Sequence, residues 1–242
     1  MKIGIFDSGI GGLNICAKLI KAYPYFEYLY YADNKHMPYG DKDKATLKPL
    51  ILQAMDYFLI NGADAAIIAC NTVSCMFKGE LESEYPFEIF YIAPDVEKAS
   101  KYHNQIAILA TDNTANSDFF KKLLLNYNFE YLMPDCSRLA KLTENFAPNF
   151  MKNYGYVAKI LDELEHNFGV VLGCTHYTFY REYIESLGYA CYDETDQIMR
   201  KIEAFTKKKV IDKTVQDIDI VVYLTDKTDK ARYLCILQKL LK

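Results

Sequence analysis

The chain has no apolar run approaching the roughly 18 to 20 residues needed to span a bilayer. Its first residues, Met1-Lys2-Ile3-Gly4-Ile5-Phe6, meet Asp7 and glycines too soon for a signal-peptide core. A disulfide framework is also missing. The seven cysteines (16, 70, 75, 136, 174, 191 and 235) are odd in number, scattered and free of any C-x-x-C pair. That argues against both a disulfide scaffold and a zinc ribbon. A net charge of only −4 over 242 residues gives no reason to expect a nucleic-acid or acidic-membrane partner. The short cluster Lys207-Lys208-Lys209 reads as solvated surface. Low-complexity segments and obvious linkers are lacking too. What is left, 51% apolar and 25% charged, is expected to be a cytoplasmic globular protein with a sizeable core.

What is present is an alternation of strands and helices. Short apolar runs predict strands over Lys2–Phe6, Tyr28–Ala32, Ala65–Ala69 and Glu88–Ile92, and again over Gln105–Ala110, Phe129–Met133, Gly169–Leu172, Tyr189–Tyr192 and Ile218–Leu224. Between them, helical spacing predicts Leu13–Ala22, Leu47–Leu59, Val73 to about Glu84 and Ser117–Tyr127. Further helices are expected at about Ser137–Asn145, Asn149–Asn167, Tyr177–Gly188, Asp196–Phe205 with Thr195 as N-cap, and Lys227–Leu241. The rhythm argues for parallel strands with helical crossovers and for two α/β lobes. The chain would cross between them at Ile92–Pro94 and about Phe205–Val210. Pattern alone leaves open whether the last strand and helix rejoin the first lobe.

Two stretches echo each other at a separation of 104 positions. Ala69-Cys70-Asn71-Thr72 and Gly173-Cys174-Thr175-His176 each place a cysteine where an apolar run stops. At the same offset, Ile3–Ser8 falls opposite Ala107–Asp112. In open parallel sheets ligands sit beyond the carboxyl ends of the strands. Here those ends carry Asp7-Ser8, Asp33, Cys70-Asn71-Thr72, Thr111 and Thr114, and Cys174-Thr175-His176. The set is small and polar, without the clustered basic residues of a phosphate site. It suits a zwitterion whose carboxylates meet backbone N–H groups, hydroxyls and amides.

A thiol just before a helix can have a lowered pKa and serve as nucleophile, metal ligand or general base. His176 could assist Cys174, and Asp7 could serve Cys70 if the first and third strands are neighbours. A lone cysteine at a strand end is more often a small buried side chain, and Cys16, Cys75, Cys136, Cys191 and Cys235 are assigned to packing. A metal site from Cys70, Cys75, Cys174 and His176 matches no common zinc spacing. Gly9-Ile10-Gly11-Gly12 with Asp33 resembles a dinucleotide fingerprint, but Asn14 stands where its third glycine belongs. The turn is read as permitting close backbone approach to a small ligand. His36, His103 and His166 are expected on the surface or in loops.

Four motifs together resemble the bacterial glutamate racemases of the aspartate/glutamate racemase superfamily. They are Phe6-Asp7-Ser8-Gly9-Ile10-Gly11-Gly12-Leu13, Tyr31-Ala32-Asp33 with Pro38-Tyr39-Gly40, Ala69-Cys70-Asn71-Thr72 and Gly173-Cys174-Thr175-His176. The resemblance implies two lobes, each a mainly parallel sheet flanked by helices, related by pseudo-two-fold symmetry: residues 1–93 plus 207–242, and 94–206. It implies no cofactor, no metal, an acidic amino acid as substrate and a possible homodimer. Cys70 and Cys174 would be the two proton-transfer groups, with Asp7 and His176 as auxiliaries. Ser8, Pro38, Tyr39, Gly40, Asn71, Thr72, Thr111, Thr114 and Thr175 would hold the substrate. Two departures stand out. Met151 falls where the family has an acidic residue, so the Cys174 side is expected to lack its carboxylate, and Ala93 precedes Pro94 where a glutamate is common. Rival readings are an aspartate racemase or related isomerase, and a non-catalytic binder of acidic metabolites.

Overall fold

The computed structural model describes residues 1–162, 164–165, 167–207 and 218–242. In chain order the first half runs β1 (Lys2–Asp7), α1 (Leu13–Ala22), β2 (Glu27–Ala32), α2 (Lys44–Ile60), β3 (Ala65–Ile68), α3 (Asn71–Phe77) and β4 (Glu88–Tyr91). It continues through α4 (Val96–Ser100), β5 (Gln105–Ala110), α5 (Asp112–Asn116), α6 (Asp118–Leu124), β6 (Glu130–Leu132), α7 (Leu139–Phe146) and α8 (Tyr154–Leu161). After these come β7 (Gly169–Gly173), α9 (Arg181–Ser186), β8 (Ala190–Tyr192), α10 (Thr195–Thr206), β9 (Asp219–Leu224) and α11 (Lys230–Leu241).

The strands form two sheets, ordered β4-β3-β1-β2-β9 and β6-β5-β7-β8, and every pairing is parallel. Helices cover both faces of each sheet, which explains why the inner strands read as continuous apolar runs. On the larger sheet, Ile3, Ile5, Tyr28 and Tyr30 face α1 and α11, while Phe6, Tyr31 and Ile68 face α2 and α3. The smaller sheet does the same with Leu109, Val170 and Leu172 on one face and Ile106, Ile108 and Val171 on the other. Pairing of β9 with β2 brings the end of the chain back to the first sheet, the point that pattern alone left open.

Several local expectations change. The helix after Cys70 stops at Phe77, because Lys78 is extended and Gly79 sits at φ +85°, a conformation that favours glycine. The long helix expected over Asn149–Asn167 is a 3₁₀ turn at Phe150–Asn153 followed by α8. Those expected from Tyr177 and from Lys227 likewise begin as 3₁₀ turns, at Thr175–Tyr180 and Lys227–Asp229. Thr195 opens α10 rather than capping it: its N–H donates to the Asp193 carboxylate at 2.9 Å. Cys235 is exposed, not packed, whereas Cys16, Cys75, Cys136 and Cys191 are buried. His166, Lys208, Lys209 and the far end of the second crossing point lie outside the described residues. No described helix is long and apolar enough to cross a membrane.

Each sheet reverses its strand order next to its first strand. In the larger sheet β2 lies on one side of β1 and β3 on the other; in the smaller, β6 and β7 flank β5 in the same way. These are the switch points where ligands bind in open α/β sheets. The carboxyl ends at the two points carry Asp7 and Cys70, and Thr111 and Cys174.

Candidate active site

Both cysteines end a strand in extended backbone, Cys70 at φ −126° and Cys174 at φ −147°, and both are N-cap residues, of α3 and of the 175–180 turn respectively. They line one small cavity of about 10 Å³ together with Ser8, Pro38, Tyr39, Gly40, Asn71, Thr72, Thr111, Thr175 and His176. That volume admits about one water, so the site is closed. Larger grooves of about 360 and 410 Å³ open elsewhere and contain neither thiol. Of the residues singled out in the sequence, two stand behind the cavity rather than on it. Thr114 is fully buried and shares a 2.9 Å hydrogen bond with the Thr111 hydroxyl. Asp7 is fully buried under the glycine turn. Ala93, the second departure from the family pattern, does not line the cavity. Cys75 does not either, and among the described residues no three His, Cys, Asp or Glu side chains group to hold a metal.

Around Cys70 a short relay runs inward. Its Sγ lies 3.8 Å from the Ser8 hydroxyl, which lies 3.4 Å from Asp7 Oδ1. Asp7 also accepts from the Ser8 N–H at 2.7 Å, from the Gly12 N–H and from the Thr175 hydroxyl at 3.1 Å. Burial pushes Asp7 up to about 6, against the opposing pull of His176 and of these donors. Burial, then the Asp7 charge, pushes the Cys70 thiol up to about 12, with the N–H of Val73 and the Ser8 hydroxyl pulling the other way. Cys174 is raised well above the ordinary thiol value, again by burial first. The lowering expected from the helix N-termini is therefore present but outweighed. Removing water from a closed site costs the thiolates more than the backbone N–H groups return.

Around Cys174 the structure supplies what the sequence was expected to lack. His176 Nδ1 lies 3.8 Å from Cys174 Sγ, and its Nε2 lies 3.0 Å from Glu144 Oε2. Glu144 comes from α7, 32 residues upstream of His176, and the Ile10 N–H also donates to it at 3.0 Å. Burial alone would raise this carboxyl. Hydrogen bonds from His176, the Ile10 N–H and Tyr233, with the His176 charge, hold it below its ordinary value. In return Glu144 lifts His176 above the usual imidazole value, although burial opposes the charge. Met151 is 70% exposed and takes no part. The carboxylate was hidden in the sequence as one acidic residue on the buried face of a helix, beside Leu139, Ala140 and Thr143.

The glycine turn has a different partner from the one expected. A Cβ on Gly11 would meet the Thr175 side chain and the His176 nitrogen at 2.7 Å, and one on Gly9 would meet Glu144 and His176 Nε2 at 2.9 Å. The close approach that these glycines permit is to the opposite half of the protein. Gly11→Ala is accordingly expected to push the two thiols apart and lower turnover about 10²-fold, the cost of roughly a 1 Å misplacement. Steady-state rates beside an unchanged circular-dichroism spectrum would check this. At the mouth, Asn113 straps the Tyr39-Gly40 loop to α5. Its Nδ2 donates to the carbonyls of Tyr39 and Lys42 at 2.9 and 2.7 Å, and its N–H to that of Gly40 at 3.1 Å. Asp33 anchors the same loop by accepting from the Tyr39 hydroxyl at 2.5 Å.

Residues 13–202 match the family model described as Asp/Glu/Hydantoin racemase. The chain belongs to that family. It is 34% identical over 197 residues to glutamate racemase 2 of Bacillus subtilis, covering 77% of this chain and 74% of the relative. It is 32% identical over 238 residues to the glutamate racemase of Fusobacterium nucleatum, covering 96% and 86%. Among solved structures, the glutamate racemase of Campylobacter jejuni superposes with a TM-score of 0.79 at 25% identity over all of both chains. The Escherichia coli glutamate racemase, crystallised with L-glutamate and an activator, shares the fold at a TM-score of 0.84 and 22% identity, covering 99% and 94%.

Proposed function

We propose that this protein interconverts L- and D-glutamate without a cofactor by proton transfer between Cys70 and Cys174, supplying D-glutamate for peptidoglycan. One observation carries the reading: two thiols from facing switch points share a single closed cavity, each backed by its own charged group. One thiolate removes the α-proton and becomes a thiol; the opposite thiol delivers a proton to the other face and becomes the thiolate. Groups of the same kind can exchange these roles in the two directions. Following the family resemblance, Cys70 takes the proton of D-glutamate and Cys174 that of L-glutamate.

The resting thiols are raised by burial, and the entering substrate reverses part of that. Its ammonium group places a cation beside both sulfurs, which favours the thiolate. On the Cys70 side, Ser8 links the thiol to Asp7. On the Cys174 side, the imidazolium of His176, held by Glu144, stabilises the thiolate. Asn71, Thr72, Thr111 and Thr175 offer hydroxyls and an amide to the substrate carboxylates, and the Pro38-Tyr39-Gly40 loop closes over them. Such a closed pocket excludes water from the carbanionic intermediate. The small, polar lining, with the His176 imidazolium as its one basic side chain, supports a small acidic amino acid.

Purified protein is expected to racemise glutamate from either enantiomer, followed by circular dichroism, and to exchange the α-proton with solvent deuterium. No exchange from either enantiomer would sink the reading. Exchange with aspartate and not glutamate would move it to the aspartate racemases.

A further inference from the structure

Glu144 is gripped from two directions. Its Oε2 faces His176 and the Ile10 N–H, as described above. Its Oε1 accepts from the Tyr233 hydroxyl at 2.8 Å and lies 3.4 Å from Arg232 Nη2. Arg232 Nη1 also donates to the Glu144 backbone carbonyl at 2.9 Å, and Asp229 steadies the guanidinium at 2.7 Å. Both donors sit at the start of α11, the helix that follows the edge strand of the larger sheet and packs against α1. Glu144 sits on α7, which covers the smaller sheet. The contact therefore joins the last helix of one half to a carboxylate of the other.

We propose that Tyr233, with Arg232 beside it, is a positioning residue for proton transfer at Cys174. The last torsion of a glutamate side chain is soft, so a carboxylate held through one oxygen can turn its plane. With Oε1 fixed by Tyr233 and Oε2 by the Ile10 N–H, the plane is set and Oε2 is directed at His176 Nε2. That in turn fixes the imidazole with Nδ1 toward the thiol. Because the donors come from the opposite half, the alignment is complete only when the halves are closed around the cavity. Neither Tyr233 nor Arg232 lines the cavity, so neither touches the substrate. The inference rests on the reading of Cys174 as the group that serves L-glutamate.

A buried tyrosine needs a hydrogen-bond partner in any case, so the test must separate positioning from packing. Tyr233→Phe in the full chain keeps the ring in the core and deletes only the hydroxyl. With α-deuterated L- and D-glutamate as probes, KM is expected to stay within about twofold and kcat to fall about tenfold. That is an order below the ~10²-fold cost of a full misplacement of 1 Å. The isotope effect should rise for L-glutamate, whose proton Cys174 removes, and not for D-glutamate. Arg232→Gln, which keeps the Tyr233 hydroxyl and removes the guanidinium that lies over its ring at 6.0 Å, should move the same way. Unchanged kcat and isotope effects in both variants, with or without a lower Tm, would overturn the inference. So would isotope effects that rise equally for both enantiomers. Wild-type protein inert toward both enantiomers would instead overturn the parent reading, and this one with it.

Discussion

Cys174→Ala is expected to lower racemisation of glutamate by about 10³- to 10⁴-fold in both directions, the upper part of the range for loss of a positioned acid/base group. The effect must be two-sided. Enantiomers have equal free energy, so kcat/KM is the same from either side, and loss of one proton carrier removes both directions together. Exchange, in contrast, should become one-sided. With Cys174 gone, Cys70 can still remove the α-proton of D-glutamate, trade it with solvent and return a deuteron to the same face. The expected signature in deuterium oxide is slow labelling of D-glutamate with its configuration retained, and none of L-glutamate. Cys70→Ala should give the mirror image. Racemisation persisting within about tenfold of wild type in either variant would exclude the two-thiol scheme.

The parts of this site that lie at strand ends were legible in the sequence for a physical reason. An apolar run that must be buried on both faces stops where the strand leaves the sheet, and the first polar residues beyond it are those a ligand meets. Asp7, Ser8, Cys70, Asn71, Thr72, Thr111, Cys174, Thr175 and His176 were all found that way. Glu144 was not, because it reaches the site from the middle of a helix whose orientation only tertiary packing determines. The family pattern directs attention instead to position 151, where Met151 is exposed to solvent. Tyr233, from a helix about 90 residues farther along, was out of reach for the same reason. The repeat was legible at the level of strands but not of register. Ile3 pairs with Ala65, whereas Ile106, not Ala107, pairs with Gly169. The slip makes Thr111 the counterpart of Ser8 and leaves Asp7 opposite Ala110. The two thiols thus match while their neighbours do not: a carboxylate reached through a hydroxyl on one side, an imidazole held by a carboxylate on the other.

Glu194→Gln is expected to stabilise the protein by several kcal/mol at pH 8 and to change little at pH 5. Glu194, the N-cap residue of α10, is fully buried beside the Asp193 carboxylate, with the Asn71 side chain as its polar neighbour. Burial first, and the Asp193 charge second, push it from its ordinary 4.5 up to about 8. The sign follows from proton counting. Below about pH 4.5 the carboxyl is protonated in both states and costs nothing extra. Between about 4.5 and 8 the folded chain keeps the proton and the unfolded chain releases it, so stability falls as pH rises, by ~1.4 kcal/mol for each pH unit. The full window sets a ceiling of ~5 kcal/mol. Glutamine keeps the shape and the neutral form, and so removes that slope. Asp7, raised to about 6 by burial, adds a slope of the same sign in both proteins, confined to pH below about 6. Thermal unfolding from pH 5 to 8.5 should therefore give two curves that meet near pH 5. By pH 8 they should diverge by roughly 10 °C, at about 2–4 °C per kcal/mol for a chain of this size. Parallel curves would mean that Glu194 is ionised in the folded protein at neutral pH, with its charge compensated inside the core.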